Sequence, residues 1–156
     1  MINNIDKSGQ KIYGKLGYIF MINQDNQFLS KEEFVNIFSE YSGINKDELL
    51  KKGVFESSDF INENELMERR NAARIIHLFV RDIKGVKDEP DISESYIIKD
   101  LFDCRICANH IAQVYLKGII EARNIDDLII FDTYGRVSME DFNLWIKRID
   151  MVDSGD

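Results

Sequence analysis

The sequence predicts an all-α, repeat-built domain of helix–loop–helix units around one shared core. Three observations carry this. Apolar residues recur at spacings of three and four along segments 30–42, 65–82, 100–117 and 138–149, which sets them on one face of each helix. Capping signatures open two of these segments, Ser30 with Glu33 and Ser138 with Asp141. A Lys-Gly-apolar-apolar phrase occurs twice, at Lys52-Gly53-Val54-Phe55 and Lys117-Gly118-Ile119-Ile120, as a helix exit.

The elements follow in order. Residues 1–28 form a polar start and a stretch, 11–22, that mixes aromatics with Gly14 and Gly17 and suits a short helix or an extended piece equally. Ser30 caps the first helix. Phe34, Val35, Ile37, Phe38 and Tyr41 form its buried face, and Gly43 stops it. Asn45 to Lys52 reads as a short helix with Leu49 and Leu50 inward. Glu65 to Arg81 carries a stripe of Leu66, Ala73, Ile76 and Val80. Residues 83–97 are acidic, hold the single proline and read as a linker loop. From Asp100 the series Leu101, Cys104, Ala108, Ile111, Tyr115 predicts a long helix to Lys117. An extended run is expected at Leu128 to Phe131. A last helix on Phe142, Trp145 and Ile146 leads into a polar tail, 151–156.

Composition bounds the function. The 156 residues are 44% hydrophobic and 31% charged, a globular balance, with ten Phe and six Tyr to close a core. The net charge of −8 opposes non-specific binding to nucleic acid or to an anionic membrane surface. No segment approaches the roughly 20 apolar residues of a membrane span, and MINNIDKSGQ has no apolar signal core. The expected location is the cell surface where an export signal is supplied, and the cytoplasm otherwise. No nucleophile elbow, phosphate loop or zinc-protease motif is present, so a non-enzymatic role is expected.

Three helix openings align, LSKEEF from Leu29, MERRNA from Met67 and VSMEDF from Val137, 38 and then 70 residues apart. With the glycine exits, they resemble the S-layer homology family. There an aspartate-led helix, a Gly-Ile-Ile-like exit, a loop and an Ile-Thr-Arg-Ala-Glu-Phe-like opening form one unit. Asp100 or Asp103 stands where the leading aspartate would. The resemblance implies one repeat region over 29–82, a second repeat over 98–150, and helical modules in pseudo-threefold arrangement that hold anionic, pyruvylated cell-wall polysaccharide. The family's binding arginine falls on Arg69, on Lys31 and on Met139 in the three openings, and Ile106 stands near its tryptophan.

The candidate ligand residues are therefore Arg69, Arg70, Lys31 and Trp145. Arg69, Arg70 and Arg74 at a helix start suit a sugar carboxylate, because the guanidinium fork bonds both oxygens. The plainer reading is a solvated face. Trp145 is either core or a sugar-stacking platform. Cys104 and Cys107 imitate a ligand series with His110, but lie on the buried stripe and read as ordinary buried thiols, with poor geometry for a disulfide inside a helix. No cofactor and no metal are expected. Ile130 to Asp141 echoes a calcium loop without its first carboxylate. The alternatives to sugar binding are an intracellular protein–protein interaction module and, more weakly, a degenerate calcium-binding helix pair.

Overall fold

The computed structural model describes residues 28–152. Segment 11–22 and the polar tail from residue 153 lie outside the described residues. The described residues are mostly helical, with one two-stranded antiparallel sheet among them. The helices are α1 (Lys31–Ser42), α2 (Lys46–Lys51), α3 (Arg69–Asp82), α4 (Ala108–Leu116) and α5 (Met139–Met151). Strands β1 (Arg123–Ile125) and β2 (Leu128–Ile130) pair Arg123 with Ile130 and Ile125 with Leu128. The extended run expected at 128–131 is thus the second strand of a hairpin, turned by Asp126 and Asp127 at positive φ.

Both capping boxes close. The Ser30 hydroxyl accepts from the Glu33 amide and Glu33 returns to the Ser30 amide. Asp141 does the same for Ser138 at 3.1 Å, although its side chain is a methylene shorter than Glu. The two glycine exits are built alike. Gly53 and Gly118 take φ of 82° and 73°, a left-handed turn that favours glycine. Val54 and Phe55 both donate to Leu49 O, and Ile119 and Ile120 both donate to Val114 O. All four side chains drop into the core.

The three openings meet. Leu29 N–H donates to Val137 O, Met67 N–H to Leu29 O, and Arg69 N–H to Gly135 O. Isolated bridges join Phe28 with Ser138, Ser30 with Leu66, and Glu68 with Arg136. Leu29, Met67 and Val137 are each fully buried at this junction. The pairing demands extended backbone at Leu66 to Glu68, which is why α3 begins at Arg69 and not at Glu65.

One core joins all five helices. Phe38 is its aromatic centre, packed edge-on against Phe79 at 5.2 Å and near Phe55 and Phe142. Such pairs contribute about 0.5–1.5 kcal/mol each beyond area burial. The acidic segment 83–97 is anchored, not a free linker. Gln113 clamps Glu89 through both backbone groups, and Ser93–Ile97 forms a 3₁₀ turn.

The largest departure is the helix expected over 100–117. Only its second half is α-helical. Leu101–Asp103 and Arg105–Cys107 are separate 3₁₀ turns, and Cys104 between them is extended. Cys104 and Cys107 are joined as a disulfide, which corrects the reading of both as free thiols. Once the helix gives way to 3₁₀ turns, the geometric objection to that bond disappears.

Candidate functional site

A groove of about 810 Å³ opens beside the junction of the three openings. Lys31 comes from the first opening, Glu68 and Arg70 from the second, and Arg136 from the residues leading into the third. Ile106, Cys107 and His110 form the facing wall at the start of α4. Four basic and four acidic side chains line it, in a chain whose net charge is −8. The groove is thus more positive than the protein as a whole.

The pairing inside the groove decides which cations remain available. Arg74 is committed: its two terminal nitrogens grip both oxygens of Asp59 at 2.5 and 3.2 Å, and both residues are buried. Arg70 pairs through Nε with Glu68 at 2.8 Å and lies over the exposed ring of Tyr134, 4.7 Å from its centroid. Lys31 donates to the carbonyl of Ile61. Lys31 and Arg136 have no ion pair among the described residues. Either carries a full charge that an anion can meet without breaking a bridge.

The sequence-derived candidates divide. Arg70 and Lys31 reach the groove. Arg69 and Trp145 do not, since both are fully buried. Arg69 Nε donates to Phe131 O at 2.8 Å and Nη2 to Glu121 O at 3.0 Å. Its guanidinium lies between the rings of Phe131 and Trp145, 4.8 and 5.5 Å from their centroids. Burial, with Arg123 nearby, presses the Arg69 guanidinium below its ordinary value, yet an arginine in a protein keeps its charge. The cation therefore binds backbone oxygens and π faces in place of solvent or ligand. Trp145 is the other half of that arrangement, not an exposed platform.

The calcium-loop reading meets carboxylates already engaged. Asp132 accepts from Arg123 at 2.8 Å and occupies the space that a Cβ on Gly135 would need. Asp141 is bound to the Ser138 amide. Among the described residues, no group of three or more His, Cys, Asp or Glu is placed to hold a metal ion.

Arg136 and a histidine pair escaped the sequence reading. Arg136 flanks the third opening, and its signal was a lone cation two residues before a capping serine. His77 and His110 lie 33 residues apart and face each other through Nδ1 at 2.8 Å, while His77 Nε2 meets Asp88 at 2.7 Å. Burial lowers the pKa of both rings, His110 to about 4 with His77 and Arg74 adding to the effect. Both are neutral at pH 7, so the bond to Asp88 is not an ion pair. Asp88 accepts only, which places the His77 proton on Nε2. His77 Nδ1 must then accept from the Nδ1–H of His110, leaving His110 Nε2 bare on the groove wall.

This pair gives a signed pH dependence. The folded pKa of His110 lies below the unfolded value near 6.5, so the unfolded state binds the proton first as pH falls. Stability is intact above pH 6.5 and drains away between 6.5 and about 4. His110→Asn keeps a donor near the Nδ1 position and does not titrate. After a discount for partial exposure, the wild type should lose about 1–2 kcal/mol more than the variant between pH 7 and 4.5, a Tm difference of about 3–6 °C. Parallel Tm–pH curves for the two proteins would remove His110 as the titrating group.

No helix among the described residues is long and apolar enough to cross a membrane. Comparison of the chain with models of protein families, with curated proteins and with solved structures finds no match.

Proposed function

We propose that the domain is a non-catalytic binding module of the S-layer homology type, and that it holds an anionic cell-wall polysaccharide in the groove beside the helix openings. One observation carries this reading. Three helix openings, two of them capped, converge by main-chain bonds next to a groove in which Lys31 and Arg136 lack carboxylate partners among the described residues. The twin hydrogen-bond patterns around Gly53 and Gly118 support a repeated unit. The chemistry fits an acidic sugar: Arg70 and Arg136 offer planar forks for a carboxylate, and Tyr134 an exposed ring beside Arg70. Arg69 enters this reading only through the fold, as the residue that fixes the start of α3.

A second reading has an observation of its own. Tyr96, Ile97, Phe102 and Ile106 are all exposed, and the rings of Tyr96 and Phe102 lie 5.8 Å apart. An apolar surface of this kind favours a protein partner.

Titration calorimetry with purified pyruvylated polysaccharide tests the first reading. A charge-assisted hydrogen bond contributes about 1.5–3 kcal/mol, so Arg70→Ala combined with Arg136→Ala should weaken binding at least about tenfold. The Tm should fall by no more than about 4 °C, since Arg136 is exposed and Arg70, half-buried, gives up one partly exposed ion pair with Glu68. Removal of the pyruvyl groups should have a similar effect on the wild type. No binding by the wild type, or equal binding to the depyruvylated polymer, would transfer the assignment to the protein-interaction reading.

A further inference from the structure

We propose that the Cys104–Cys107 disulfide is a redox-active site that exchanges with a dithiol, not a structural staple. Three observations point the same way. The bond joins residues three apart, so it removes little freedom from the unfolded chain, which is the main route by which a disulfide stabilises a fold. It borders the groove: Cys107, itself only 7% exposed, belongs to the wall, Cys104 is as buried, and the neighbouring Ile106 and Phe102 are exposed, Ile106 by 87%. Such apolar flanks give an incoming thiol-bearing chain something to dock on. Lastly, Arg70 Nη1 lies 3.7 Å from Cys104 Sγ and 4.0 Å from Cys107 Sγ. A guanidinium beside sulfur favours the thiolate, as does the start of α4 immediately after Cys107.

The exchange balances as follows. A thiolate of the partner dithiol attacks Cys107 Sγ from the groove. The Cys104–Cys107 bond breaks, and its electron pair leaves on Cys104 Sγ, where Arg70 is nearest. The partner's second thiolate then attacks its own sulfur in the mixed disulfide and releases Cys107 as thiolate. Two electrons pass from the partner, which ends as a disulfide, to the Cys104–Cys107 pair. The partner's two protons end on the cysteines or in solvent.

Native protein equilibrated with mixtures of reduced and oxidised dithiothreitol, acid-quenched and alkylated with a maleimide, reports the redox state by mass. The pair should reduce fully without denaturant, with the helical circular-dichroism signal kept and Tm lowered by no more than about 6 °C. Arg70→Gln should slow reduction about tenfold, and Arg70→Lys should restore most of the rate. Reduction that needs denaturant, or that unfolds the chain, would make the bond a staple and overturn the proposal. Free thiols in air-oxidised protein, or a wild-type rate for Arg70→Gln, would overturn it as well.

Discussion

Arg69→Ala should cost the fold about 3–5 kcal/mol, one of the two largest single-residue losses expected in this domain. The side chain is fully buried, so its removal leaves a cavity in the core between Phe131 and Trp145. It also strips Phe131 O and Glu121 O of the donor that each now faces. An unpaired buried acceptor costs about 1–3 kcal/mol. For a domain of this size the loss corresponds to a Tm fall of about 10 °C or more. Arg69→Met should be milder. It fills much of the same space, and it removes a guanidinium whose Nη1 is buried without a partner. Urea denaturation of the three proteins, read at equal slope, gives the comparison. A Tm for Arg69→Ala within about 2 °C of wild type would show that the buried cation holds nothing together. The result also governs the ligand experiments: polysaccharide lost by Arg69→Ala reports on the fold, so the groove has to be tested through Arg70 and Arg136.

Arg69 also marks where the sequence stops being informative. Its position at a helix start next to Arg70 is legible, and a charged residue there reads as solvent-facing or ligand-facing. What buries it comes from elsewhere: the carbonyls of Glu121 and Phe131 lie 52 and 62 residues away. Local signals fared better. The Ser30 and Ser138 boxes, the Gly53 and Gly118 exits and the stripe of α3 from Ala73 through Ile76 to Val80 depend on residues within one or two turns, and each is present, whereas Leu66 falls outside the helix and is half-buried. The helix over 100–117 failed for a physical reason. Leu101, Cys104 and Cys107 recur every three residues, a spacing that 3₁₀ turns satisfy as well as an α-helix does. Choosing between them needed the partners of Asp100, which lie 31 to 33 residues away and are a tertiary fact. The histidine pair is similar. Each ring alone suits a satisfied group near a core, and only the packing of α3 on α4 brings them together. Of the groove, the sequence disclosed Lys31 and Arg70. Arg136 became visible through the main-chain pairing that sets its backbone opposite Glu68.

Asp100 is the second residue whose loss should be severe, and its effect should extend beyond stability. One carboxylate oxygen accepts from the amide of Phe131; the other accepts from the amides of Asp132 and Thr133 and from the Thr133 hydroxyl. Partial burial works to raise this carboxyl, but the hydrogen bonds from Thr133 and Phe131 outweigh it and hold the group below the usual carboxylate range. Asp100→Ala removes every acceptor at once and should cost about 3 kcal/mol or more. Asp100→Asn keeps a single oxygen and should fall between. The sign with pH follows from the depressed value: the Asp100 contribution is complete above the unfolded carboxyl range near pH 4 and is lost as pH falls below it, whereas Asp100→Asn has no such step. The segment held by Asp100 in turn holds the groove. Thr133 O and Gly135 O accept the amides of Arg70 and Arg69, and Arg136 follows directly. Hydrogen exchange should therefore show the amides of residues 131–133 losing protection in Asp100→Ala, along with those of Arg69 and Arg70. Ligand affinity should fall with them even at temperatures where the variant stays folded. Unchanged protection at 69–70, with loss confined to 131–133, would separate the loop from the start of α3 and break this proposed link between Asp100 and the groove.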